Sequence, residues 1–280
     1  MFRQLREKLV SATLSTAEKS KVDRALKKLS STGFDPWGVS PPTLMASLAS
    51  TIWFYRRYFR VVTHGIQNIP EGRCLLIANH SGQVPIDAML VATSVLLELE
   101  PPRLVRGMVE RWAPSLPFIS TFFSRNGQIT GDIHNAKTLL ENDECVMVFP
   151  EGVAGSGKTI FDRYELQKFG TGFVRLAMET KTPIIPIGVI GCEEMLPSLS
   201  KLAPLAKMLG IPYIPVLPTV VPLPTKVTIR FGEPILFDSN PDEPDAEVYR
   251  KVEIVKNAIR TELETGLKIR GERIFTGAGL

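Results

Sequence analysis

CLLIANHSGQVPID, residues 74–87, decides how this chain is read. Five apolar residues run without a break into Asn79 and His80, and Pro85 then opens a helical segment with Asp87 in its first turn. An apolar run of this length, bounded by polar and turn-forming residues, reads as a buried strand. In an α/β sheet, residues leaving the carboxyl end of such a strand line the ligand crevice. The loop Ser81-Gly82-Gln83 lets the His80 ring turn back toward Asp87, a carboxylate favoured in its ionised form by a helix N-terminus. A carboxylate on one ring nitrogen fixes the tautomer and leaves the other as a general base. The same pattern also fits a histidine that only caps the helix or satisfies the loop.

A second stretch of this kind lies about seventy residues on, where Cys145-Val146-Met147-Val148-Phe149 runs into Pro150-Glu151-Gly152. Further apolar runs predict strands over 60–64, 73–78, 103–109, 127–130, 144–149 and 183–190, and strict alternation predicts one over 226–231. Helical spacing predicts helices over 85–98, 132–141, 166–181 and 245–268, whereas five prolines within 210–225 indicate an irregular surface loop. Strands alternating with helices imply an α/β fold with a mostly parallel central sheet covered by helices, preceded by N-terminal amphipathic helices. The expected division is 1–60 for basic amphipathic helices, 61–270 for the α/β domain and 271–280 for a tail.

The composition fits such a domain: of 280 residues, 44% are hydrophobic and 22% charged. Cys74, Cys145 and Cys192 all sit in apolar runs and read as buried reduced thiols. Three histidines with no clustered Cys/His spacing argue against a structural metal site.

The net charge of +4 divides unevenly, with a balance of +7 over residues 1–60 and −3 over the remainder. A basic leader implies an anionic surface as partner, either nucleic acid or phospholipid. Leu44, Leu48, Ile52, Tyr55 and Phe59 recur at helical spacing after Ser40-Pro41-Pro42, with Arg56, Arg57 and Arg60 closing the stripe. Trp, Tyr and Phe beside arginines suit a phospholipid headgroup boundary, and the apolar stretch is too short to span a bilayer. The same stripe equally fits packing on the core of the domain. No signal peptide is evident, so the expected location is the cytoplasmic face of a membrane, peripherally bound, with no role for nucleic acid.

Asn79-His80-Ser81-Gly82-Gln83-Val84-Pro85-Ile86-Asp87, followed by Phe149-Pro150-Glu151-Gly152 and Thr182-Pro183-Ile184-Ile185-Pro186, resembles the glycerolipid acyltransferase (PlsC-like) superfamily, whose members include lysophosphatidic acid acyltransferases. The similarity runs from about residue 34 to residue 233. It implies acyl transfer in lipid metabolism, from acyl-CoA or acyl-carrier protein as co-substrate to a lipid hydroxyl, without a covalent acyl-enzyme and without a bound cofactor. His80 is then the base, Asp87 its orienting partner, and Asn79, Ser81, Gly82, Pro150, Glu151 and Gly152 shape the acceptor site. A non-catalytic lipid-binding relative of the same fold is the alternative.

This chain departs from the family pattern in two ways. Six residues separate His80 from Asp87, where four are commonest. The arginine that usually holds the acceptor phosphate falls, counting from Gly127, on Ile133 between Asp132 and His134. Arg125 can stand in for it, or be a surface arginine. Lys158 and Arg163 are likewise either phosphate ligands or ordinary surface charges. Gly152-Val153-Ala154-Gly155-Ser156-Gly157-Lys158-Thr159 also matches a nucleotide-binding P-loop. Glu151 at its entrance would repel phosphates, and that reading leaves His80 and Asp87 without a part.

Overall fold

The computed structural model describes residues 2–26, 29–81, 84–110, 119–202, 213–238, 240 and 242–271. Helices α1 (Phe2–Thr13), α2 (Thr16–Ala25) and α3 (Pro41–Trp53) lead into β1 (Val62–His64), β2 (Cys74–Ala78) and α4 (Ile86–Glu98). Then come β3 (Val105–Val109), α5 (Ile119–Arg125), β4 (Ile129–Thr130), α6 (Ile133–Glu141), β5 (Cys145–Val148), α7 (Gly152–Ser156) and α8 (Gly172–Thr180). The chain continues through β6 (Ile184–Ile190), an antiparallel pair of β7 (Ser200–Lys201) with β8 (Pro215–Val216), β9 (Thr228–Phe231) and α9 (Asp245–Arg270).

Seven strands form one sheet in the order β1-β9-β6-β2-β5-β3-β4. It is parallel except where β9 runs antiparallel to β6. Central β2 is buried at every position, and its side chains alternate between two cores, as strand geometry requires. Leu76 and Ala78 join Leu90, Val91 and Val95 of α4 together with Tyr55 and Phe59. Leu75 and Ile77 face Leu139 of α6, Val174 of α8 and Ile259 of α9. Parallel β2, β5 and β6 are neighbours, with Ile77 in register with Val148 and Ala78 with Ile187, so their carboxyl ends open side by side.

The stripe Leu44, Leu48, Ile52, Tyr55, Phe59 is covered by protein. All five are buried; the first three pack with Val22, Leu26, Leu96 and Leu104 in a third core, the last two in the α4 core. The lipid-facing expectation for these side chains is therefore corrected: α1, α2 and α4 supply enough apolar surface to cover them. A π-helical turn over Phe54–Tyr58, closed by Phe59 N–H to the Phe54 carbonyl at 2.7 Å, turns Trp53 and Phe54 outward instead.

The helix expected over 166–181 begins only at Gly172. Its first residues stay extended because the amides of Gln167 and Gly170 donate to Glu151 and to the Pro150 carbonyl, at 2.8 and 3.2 Å.

Candidate active site

His80 and Phe149 leave neighbouring parallel strands, and their rings stack with centroids 4.4 Å apart. His80 Nδ1 lies 2.8 Å from Asp87 Oδ2. That oxygen also accepts from the Ser81 amide at 2.8 Å and the Ser81 hydroxyl at 3.1 Å, while Oδ1 accepts from the Ala88 amide at 2.7 Å. Three other donors already converge on Asp87, so it acts as acceptor toward the ring as well and Nδ1 carries the proton. Nε2, with its lone pair, has no hydrogen-bond partner among the described residues. Burial of the ring lowers the His80 pKa, but the Asp87 carboxylate, with Glu151 behind it, more than offsets this and leaves it raised above the ordinary 6.5.

Glu151 fixes the backbone of the base. Its Oε1 accepts from the His80 amide at 2.8 Å and its Oε2 from the Gln167 amide at 2.8 Å. The close approach requires Gly155, where a Cβ would stand 2.6 Å from Glu151 Cβ and 3.0 Å from His80 Cβ. Behind Glu151 lies a buried ion network. Lys158 Nζ sits 3.4 Å from Glu151 and 2.9 Å from Glu193, and Glu193 also accepts from Asn79 at 3.2 Å and from the Tyr164 amide at 2.7 Å. Burial pushes the Glu193 carboxyl up despite the pull of Lys158. Beside it, Glu194 pairs with Arg270 at 2.6 Å and accepts from the Tyr164 hydroxyl at 3.0 Å.

His80 opens onto a cavity of about 1050 Å³. Its walls come from α3 and α4 on one side and from β3, α5 and α6 on the other, with Met89, Leu96, Met108, Phe122 and Phe149 among the apolar lining. Such a chamber suits a long hydrocarbon chain whose reactive end meets Nε2. Among the described residues there is no cluster of side chains that could hold a metal ion.

Known proteins bear on this arrangement. The 1-acyl-sn-glycerophosphate (LPA) acyltransferase PlsC of Thermotoga maritima shares the fold, with a TM-score of 0.55 over 97% of this chain and 96% of that one, at 16% identity. Residues 60–190 match the family model described as Acyltransferase. By that match residues 60–190 are similar to the acyltransferase family, and the fold is shared with PlsC. An uncharacterized protein of Mycobacterium tuberculosis is 39% identical over 193 residues, 65% of this chain and 54% of its own length. The Gallus gallus "DGAT1/2-independent enzyme synthesizing storage lipids" is 26% identical over 180 residues, 63% of this chain and 52% of its own length. The chain thus spans about half the length of these curated relatives.

Within this acyltransferase fold, the residues chosen from sequence separate into two groups. His80 and Gly152 line the cavity, and Asp87 and Glu151 hold His80 from behind. The other described ones do not line the cavity. Asn79 is fully buried, its amide bridging to both Val189 backbone groups at 3.1 and 2.8 Å, and Ser81 is engaged by Asp87. Pro150 lies outside the lining, its carbonyl accepting from Gly170. Lys158 is sealed between two carboxylates, which corrects both its phosphate-ligand and its P-loop reading: no ammonium is free to meet a nucleotide there. Arg125 stacks over the Phe34 ring at 3.9 Å, and exposed Arg163 reaches the Ile160 carbonyl at 3.3 Å; neither lines the cavity. Gly82 lies outside the described residues.

Sequence reasoning missed Glu193, Glu194 and Arg270. The signal for the two glutamates was present, since they follow buried β6 as His80 follows β2. Their partners, 35 and 76 residues distant, are what no local pattern shows.

Proposed function

We propose that this protein transfers a fatty acyl group from a thioester, acyl-CoA or acyl-carrier protein, to a hydroxyl of a lipid acceptor. The observation that carries the reading is a histidine oriented by a buried carboxylate, with its second nitrogen free at an apolar cavity. In the proposed step, Nε2 takes the acceptor hydroxyl proton as its oxygen attacks the thioester carbonyl. The tetrahedral intermediate then expels the thiolate, which takes the proton back from the imidazolium. Ester and free thiol are the products, and His80 is regenerated. The thioester is already activated, so orientation and base catalysis are the protein's main contributions.

The reaction takes place, on this reading, at a phospholipid surface. Among the described residues no helix is long and apolar enough to cross a membrane. Exposed Trp53 and Phe54 cluster with Tyr58, whose hydroxyl reaches the Pro222 carbonyl at 2.7 Å beside exposed Val220 and Val221. Arg56 and Arg57 are exposed on the same turn. Aromatic and aliphatic side chains flanked by arginines favour the headgroup boundary.

The test is thiol release from long-chain acyl-CoA and, in parallel, acyl-carrier protein, against a panel of lysolipids and glycerides. Release that depends on both acceptor and His80 supports the proposal. Release unchanged in His80→Gln would remove the base assignment. No release from either donor with any acceptor would favour a lipid-binding relative without turnover.

A further inference from the structure

We infer that the acceptor is an uncharged alcohol of the glyceride class, not a phosphate-bearing lysolipid; this rests on the acyl-transfer reading above. The cavity wall carries the argument. Among the described residues that line it there is no lysine or arginine, and those that can bear charge are His80, Glu110 and Asp132. Glu110 stands near the reacting end, and Asp132 adds a second carboxylate to the same wall. Glu110 Oε1 lies 3.5 Å from where a Cβ on Gly152 would be, and Gly152 follows the glutamate that grips His80. Asp132 caps α6, accepting from the Asn135 amide at 2.9 Å and its side-chain nitrogen at 3.0 Å.

Three described cations on neighbouring segments are committed elsewhere. Lys158 is held by Glu151 and Glu193. Arg106 is held by Asp35 and Glu144 at 2.7 and 3.0 Å, and Arg103 by the carbonyls of Pro70, Gly72 and Asp143. A phosphate next to the attacking hydroxyl would face Glu110, in a chamber that also carries Asp132, with no compensating charge from the described lining. Like charges in a partly desolvated site repel strongly, which discriminates against such a ligand. The remaining polar lining, including Ser47, Thr51, Thr93, Gln128 and Tyr213, is neutral and suited to ester and hydroxyl groups.

The deciding experiment measures kcat/KM with oleoyl-CoA for mono- and dioleoylglycerol against lysophosphatidic acid, in one neutral detergent. The expected result is a preference of at least about tenfold for a glyceride. Glu110→Lys should then shift the ratio at least about tenfold toward lysophosphatidic acid. Equal or better use of lysophosphatidic acid by the wild-type protein would overturn the inference while leaving acyl transfer standing. Turnover with neither acceptor class would overturn acyl transfer itself, and this inference with it. The wild-type ratio decides the matter even if the lysine variant fails to fold.

Discussion

Two carboxylates hold the same histidine, and they do so differently. Asp87, itself fully buried, contacts the ring, which is 17% exposed and lines the cavity. Glu151 contacts the backbone amide, on the side where its own side chain is fully enclosed and completed by Lys158, Glu193 and Asn79. One contact sets the protonation of a reactive atom; the other sets where that atom is. The difference separates residues whose loss should silence the chemistry from residues whose loss should loosen the fold.

The sharpest way to break the comparison is His80→Gln, which keeps a polar side chain of similar reach. Turnover is expected to fall by about 10³-fold or more, with thermal unfolding by circular dichroism nearly unchanged. A large drop in melting temperature would mean that the open side is structural too.

Asp87→Asn should follow, with a loss of roughly 10²–10³-fold and an altered pH profile. The folded-state pKa of His80 is raised, and only the neutral ring accepts a proton, so wild-type kcat/KM should climb with pH through a midpoint above 6.5. Removing the carboxylate's charge should move that midpoint down. An unmoved acidic limb would show that another group titrates.

Lys158→Met addresses the sealed side. It strands two buried carboxylates, and breaking such a pair costs about 3–5 kcal/mol. Urea unfolding should report that loss, with residual activity following the folded fraction. A stable but inactive variant would place Lys158 with the substrate after all.

The smallest effect is expected from Trp53→Ala combined with Phe54→Ala. Stability should change by about 1 kcal/mol or less, since both side chains are exposed, while sedimentation with phosphatidylglycerol vesicles should weaken by about tenfold. Unchanged sedimentation would move the lipid-facing surface elsewhere.

The parts of this molecule legible in its sequence are those in which local pattern and burial agree. Cys74–Ala78 is apolar throughout because helices cover both faces of the sheet, and that continuity also marked where His80 would emerge. The stripe from Leu44 to Phe59 was equally plain, but periodicity states that a face is covered without saying by what. Here the cover is α1, α2 and α4. The helix expected from Leu166 yields its first turn to hydrogen bonds with Glu151 and Pro150, a competition invisible along the chain. The burial of Lys158 is hidden for a related reason: the P-loop pattern counts residue types, whereas its role depends on Glu193, 35 positions away.

The grip of Glu151 on His80 has one more consequence. It ties the loop after β2, the loop after β5 and the approach to α8 into one unit, using backbone amides of His80 and Gln167 that any sequence would supply. The chamber walls on α3, α4, β3 and α5 lie outside that tie. Mutation can therefore reshape what the chamber admits while the base stays in register, which gives the scaffold room to acquire new acceptors over evolutionary time.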